Sequence, residues 1–313
     1  MKFILTFFYI AFAIVSSANE AITYSFSGGR FGDQLLSYLH AKWLSYEYDI
    51  PILYQPFPYS SELTLDDVEN RFEKEIFKEH IYIKTIDSIL PKNNSRSILY
   101  TCPYFAEAEY ERNRYCCKVM VNWKDPDFRL LVKSLIKPKK KLQLIEPSSE
   151  SVNIAVHARL GGGYDSRSMN HSFPLKLPSF NFYIDGLKKI ASYFKGRSLY
   201  CFVFTDDPDP ETVAKLLKEG VNDERIAFDY RKENHHTKNV LEDFFSFFNF
   251  DALVRPDSNF SIIPSVINDY AIVISPKTYH RANNDEVEID KFEIAINQKL
   301  YQDLLNNADL LLK

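Results

Sequence analysis

"ITYSFSGGRFGDQLLSYLHAKWLSYEYDIPILY", residues 22–54, is the stretch whose reading sets the fold class. Residues 22–26 read as a short strand, and a glycine-rich turn follows. Residues 34–48 then carry Leu35, Leu36, Leu39, Trp43 and Leu44 on one helical face. Residues 50–54 are apolar again, which completes a strand–turn–helix–strand unit and predicts a parallel sheet. The turn is unusual in its own right, because Gly28, Gly29 and Gly32 are three of only nine glycines in 313 residues. One account is a tight turn with Asp33 as the helix N-cap. The other is bare backbone whose N–H groups meet an anion or a sugar hydroxyl. The spacing is neither a phosphate-binding P-loop nor the dinucleotide fingerprint.

The second half repeats the alternation. Residues 152–159 read as a buried strand, 180–194 as an amphipathic helix and 198–207 as a strand ending in carboxylates. A helix over 210–220 is expected to stop at Gly220, and "RIAFDY" to form the next strand. Residues 240–253 read as one helix rich in phenylalanine, and 270–276 as a further strand. Between the halves, residues 60–92 are charged and amphipathic and predict helix with short breaks. Residues 137–151, "KPKKKLQLIEPSSES", read as a linker. The expected architecture is α/β, with two Rossmann-like domains (19–140 and 141–313) and a cleft between them.

Composition narrows the function. A net charge of −4 gives no general field for nucleic acid or an anionic membrane surface. Lys2, an apolar run over 3–15 and Ser16-Ser17-Ala18 read as a signal peptide over 1–18, with no stable membrane span once it is cleaved. Entry into an oxidising compartment makes Cys102, Cys116, Cys117 and Cys201 potential disulfide partners, with their pairing open. Sequons stand at Asn93, Asn170 and Asn259.

Three stretches place chemistry beyond strand ends, where open α/β sheets bind ligands. The first is Gly28-Gly29-Arg30-Phe31-Gly32-Asp33. The second is His157-Ala158-Arg159-Leu160-Gly161, continuing through Gly162 and Gly163 to Asp165; a guanidinium beside bare backbone suits a diphosphate. The third is Ser258-Asn259-Phe260-Ser261, whose hydroxyls precede a helical run. Each has a plainer alternative: a turn, a satisfied histidine with a structural ion pair, and an ordinary helix cap.

Taken in this order, the three stretches and "VFTDD" (203–207) resemble the motifs of the fucosyltransferase superfamily that includes α-1,2-fucosyltransferases and protein O-fucosyltransferases. "GGRFGDQLL" is similar to that family's opening loop and helix, "VHAR" to its HxR signature, and "DSNFS" to its later serine-rich stretch. Asp33 stands where the family has Asn, glycines are inserted before Asp165, Asn259 replaces a serine, and Ile262 and Ile263 replace tryptophans. The resemblance implies a GT-B-like α/β architecture and inverting, metal-independent transfer from GDP-fucose to a glycan or protein hydroxyl, with no cofactor. Arg159 and Asp33 take catalytic roles in that scheme. Gly29, Arg30, Phe31, Gly32, His157, Gly161, Asp206, Asp207, Ser258, Asn259, Phe260 and Ser261 take donor-binding roles. Such an enzyme belongs in the secretory lumen, where its donor is supplied. Two rivals stand beside it. One is a metal-dependent GT-A transferase using Asp207-Pro208-Asp209, although Asp125-Pro126-Asp127 shows how readily that triplet arises. The other is a secreted, non-catalytic carbohydrate-binding member of the same fold.

Overall fold

The computed structural model describes residues 20–26, 28–71, 77–84, 89, 97–104, 119–161, 173–232, 237–282 and 286–310. The expected signal peptide, Asn93, Cys116, Cys117, residues 162–165, Asn170 and the histidines at 171, 235 and 236 lie outside them. The chain forms two compact units, Met1–Lys141 and Leu142–Lys313.

In the N-terminal unit, β1 (Glu20–Tyr24) leads through the glycine turn into α1 (Phe31–Tyr48) and β2 (Leu53–Tyr54). Then come α2 (Leu65–Val68), β3 (Asn70–Arg71), β4 (Glu79–Tyr82), β5 (Ile98–Cys102) and α3 (Pro126–Leu135). β1, β5 and β4 form a parallel sheet in that order, and β2 pairs in parallel with β3. A parallel bridge between Ile22 and Ile52 lays the segment entering β2 against β1, as a βαβ unit requires.

Two details depart from expectation. Helix α1 begins at Phe31 and not at Gln34, because Phe31 and Leu35 are both buried on its inner face. Arg30 is therefore the N-cap and makes no side-chain cap bond, while Asp33 sits in the first turn, where a carboxylate suits the helix dipole. The described part of 60–92 holds a 3-10 turn at Ser60–Glu62, the single turn of α2 and short strands instead of a longer helix. Its charges are drawn into tertiary contacts: Asp66 receives the Tyr54 hydroxyl at 3.2 Å, Arg71 at 2.6 Å and Lys139 at 3.3 Å. Those bonds outweigh local helix preference.

The C-terminal unit runs β6 (Val152–Ala158), α4 (Phe180–Tyr193), β7 (Leu199–Thr205), α5 (Pro210–Val221) and β8 (Ile226–Tyr230). It continues with α6 (Val240–Ser246), β9 (Ala252–Val254), α7 (Asn259–Ile267), β10 (Ile272–Arg281), β11 (Val287–Ile296) and α8 (Gln298–Asn306). Its six-stranded sheet has the order β11-β10-β9-β6-β7-β8. Counted along the chain that is 3-2-1-4-5-6, the doubly wound order, with only β10–β11 antiparallel. Aliphatic residues of β6, β7 and β9 pack against α4 and α5 on one face. Phe202, Phe204, Phe247, Phe250 and Tyr270 pack on the other. Burial on both faces is why all seven residues of β6 are buried and the strand lacks polar alternation.

Here too the structure corrects the sequence reading. Helix α5 does not stop at Gly220; it runs on to Val221, and Asn222, with φ of 51°, supplies the left-handed cap. Gly220 lies inside the helix because a Cβ there would come within 2.3 Å of Ile184 on α4. The phenylalanine-rich helix breaks after Asn249, and residues 252–254 form β9. β11 and α8 were not read from the sequence at all. Cys201 is a free thiol sealed in the middle of β7, so it joins no disulfide; burial pushes its pKa well up. Among the described residues no helix is long and apolar enough to cross a membrane.

Candidate functional site

The sheet order reverses between β6 and β9, and the carboxyl ends of those strands flank a ready crevice. The register pairs Val156 with Val254, so the chain leaves the two strands side by side, through residues 157–161 and 255–258. Two of the three stretches singled out in the sequence meet here.

His157 and Ser261 are joined by a 2.7 Å bond from Nδ1 to the hydroxyl. The imidazole also packs at 5.6 Å on Phe260 and 5.8 Å on Phe247. With 6% of its surface exposed, His157 anchors α7 to β6. Arg159, 5% exposed, donates from a guanidinium N–H to the hydroxyl of fully buried Ser258 at 2.9 Å. The two serines therefore hold the histidine and arginine of one stretch against the helix start of the other. Asn259 opens α7, and half-buried Phe260 packs among His157, Phe244 and Phe247.

Beyond β6 the backbone is fixed by side chains. The Tyr183 hydroxyl, on α4, accepts the Arg159 N–H at 3.0 Å and donates to the Arg159 carbonyl at 3.3 Å. Asp206 accepts the Leu160 N–H at 2.8 Å. Gly161 follows with φ of 94°, a conformation in which a side chain would be strained. Tyr183 escaped the sequence reading, since a tyrosine on the apolar face of a helix looks like ordinary core. Arg255, immediately after β9, has a buried Nε with no hydrogen-bond partner, and burial lowers its pKa.

The paired aspartates serve the local turn. The Asp207 carboxylate accepts the Asp209 N–H at 2.8 Å, and Asp209 caps α5 by accepting from the Thr212 N–H at 3.1 Å. Hydrogen bonding with Thr212, through its side chain first and its backbone N–H second, holds the Asp209 carboxyl below its usual range. The other triplet behaves alike, with Asp125 capping α3 through the Phe128 N–H at 2.9 Å. Each is an aspartate–proline helix start.

The first stretch, Gly28 to Asp33, belongs to the N-terminal unit. Gly28 takes φ of 77° at the turn. Asp33 lies directly over Gly29, where a Cβ would stand 2.2 Å from the carboxylate, so the glycine makes room for the acid. Gln34 donates to the Gly29 carbonyl at 2.7 Å. Gly32 is not in the turn; it is buried in the first turn of α1. Arg30 is half-buried, and Phe31 packs at 6.3 Å on Phe57 and 6.0 Å on Tyr59, whose own φ is 66°.

No protein-family profile matches the sequence, and no curated protein does. Solved structures do. A mutant of Arabidopsis thaliana FUT1 in complex with GDP superposes with a TM-score of 0.50 at 11% identity, over 86% of this chain and 73% of that one. NodZ α-1,6-fucosyltransferase soaked with GDP-fucose, a protein of Bradyrhizobium, gives 0.46 at 11% identity over 89% and 99%. POFUT1 in complex with GDP-fucose gives 0.44 at 10% identity over 82% and 95%. The fold of this chain is the α/β, GT-B-like fold of plant FUT1.

Proposed function

We propose that the chain is a glycosyltransferase that transfers fucose from GDP-fucose to a glycan or protein hydroxyl, with inversion and without a catalytic metal. The observation that carries this reading is Arg159, locked by Ser258 at the switch point of a doubly wound sheet. In the proposed reaction the acceptor oxygen bonds to the anomeric carbon while the bond from that carbon to the β-phosphate oxygen breaks. Negative charge grows on the departing GDP, and a fixed guanidinium stabilises it most in the transition state. Asp207 and Asp209 already serve a turn and a cap, which favours a cation in this role over a carboxylate-bound metal. Asp33 is the proposed base that takes the acceptor proton, and the N-terminal unit the acceptor side. The compartment proposed is the secretory lumen.

The test is a hydrolysis screen across nucleotide sugars with the native chain and Arg159→Ala. GDP-fucose consumed by the first and not the second supports the reading. Binding of sugars without GDP binding would favour the non-catalytic alternative, and turnover abolished by a strong chelator the metal-dependent one. With an acceptor in hand, Asp33→Asn should lower transfer while donor binding persists.

A further inference from the structure

Arg159 lies one residue beyond the last paired position of β6, Ala158 opposite Thr205. A residue in that place ordinarily loses its ladder partners, and a buried N–H or C=O left alone is costly. Here both main-chain groups of Arg159 meet one atom, the Tyr183 hydroxyl, which accepts at 3.0 Å and donates at 3.3 Å. The next N–H, that of Leu160, goes to Asp206 at 2.8 Å. Tyr183 is fully buried on α4, and Asp206 follows the end of β7. Side chains from α4 and from just beyond β7 thus extend the ladder past the strand by a residue each, and Gly161 follows with φ of 94°.

We infer that Tyr183 and Asp206 are a positioning pair for Arg159: they fix its main chain while Ser258 fixes its guanidinium. The inference rests on the proposed fucosyl transfer for its consequence but not for the clamp itself. It also assigns Asp206 a different task from contacting donor, namely accepting a backbone N–H. A charge held at both ends needs little reorganisation when the leaving diphosphate develops its charge, and a shift of about 1 Å in such a group can cost on the order of a hundredfold in rate.

The experiment has two readouts on the full chain. Amide exchange over residues 152–161 reads the clamp directly. The Arg159 and Leu160 amides should be protected in the native protein, with Arg159 exposed in Tyr183→Phe and Leu160 in Asp206→Ala. Asp206→Asn, whose amide oxygen still accepts, should keep Leu160 protected. GDP-fucose hydrolysis reads the consequence. Tyr183→Phe and Asp206→Ala should lower kcat about tenfold with KM within about twofold, and Asp206→Asn should restore kcat. Unchanged exchange in Tyr183→Phe overturns the inference whatever the activity. Exchange that shifts while kcat stays native overturns the positioning role. Equal damage by Asp206→Asn and Asp206→Ala shows that the negative charge matters, and removes Asp206 from the pair. If the native chain consumes no donor while the exchange pattern holds, the proposed function falls and the clamp stands.

Discussion

Ser258→Ala tests the centre of the site. The Ser258 hydroxyl is completely buried and receives a charged donor at 2.9 Å from Arg159, itself 5% exposed. A hydrogen bond to a charged group contributes about 1.5–3 kcal/mol, and its loss is felt when the donor has no access to water. The volume change is one oxygen, so little cavity cost is added. The expected loss is therefore about 2 kcal/mol, equivalent to roughly 4–8 °C in the melting temperature of a unit this size. A double-mutant cycle isolates the pair: urea unfolding of the native chain, Ser258→Ala, Arg159→Met and the double variant. The coupling energy should be about 1.5 kcal/mol or more. A coupling below about 0.5 kcal/mol, within the range of independent sites, would show that the bond does not hold the arginine and would undercut the argument built on it.

Other outcomes follow from single contacts. Gly220→Ala gains about 1 kcal/mol of helix propensity but drives a methyl into Ile184, an overpacking that costs about 1–3 kcal/mol. Calorimetry should find a net loss that Ile184→Val reverses; a stabilised single variant would contradict the close approach of α4 and α5. Asp243, buried beside Arg231 at 2.8 Å, has its carboxyl pushed up to about 6 by burial, partly offset by the arginine. Its folded value exceeds an unfolded value of about 4, so the folded state holds the extra proton and stability falls as pH rises from about 4 through about 6. Unfolding midpoints across that window should show the slope, and Asp243→Asn should flatten it. Cys201 should resist a thiol reagent in the native chain and react only after unfolding, since burial both hides it and suppresses its thiolate. Rapid native labelling at that residue would place β7 nearer the surface than it stands here.

The sequence by itself determined the α/β class and the segments that matter. The strand–turn–helix–strand order of residues 22–54 made a parallel contact legible, and the Ile22–Ile52 bridge is parallel, but β5, which pairs along all of β1, was not read. β6 was legible from its mainly apolar run, interrupted only by Asn153 and His157. The motifs also marked two loops that the fold brings together beyond β6 and β9, because strand ends rich in glycine, arginine and serine are visible without a fold. Which atoms those residues meet was decided only in three dimensions. Ser258 and Ser261 read as ligand groups, yet each hydroxyl is taken by a residue about a hundred positions away, which no local pattern discloses. Asp209 belongs to a triplet that reads as a candidate metal site, and only the fold shows one of its oxygens accepting the Thr212 N–H at the start of α5. Gly220 looked like a stop signal because its reason, the Ile184 side chain, sits on another helix. Tyr183 gave no signal, since a phenol in an apolar helix face declares nothing about the backbone it will meet. Local sequence fixes what a segment can be through periodicity and steric preference, and long-range packing assigns each polar atom its partner.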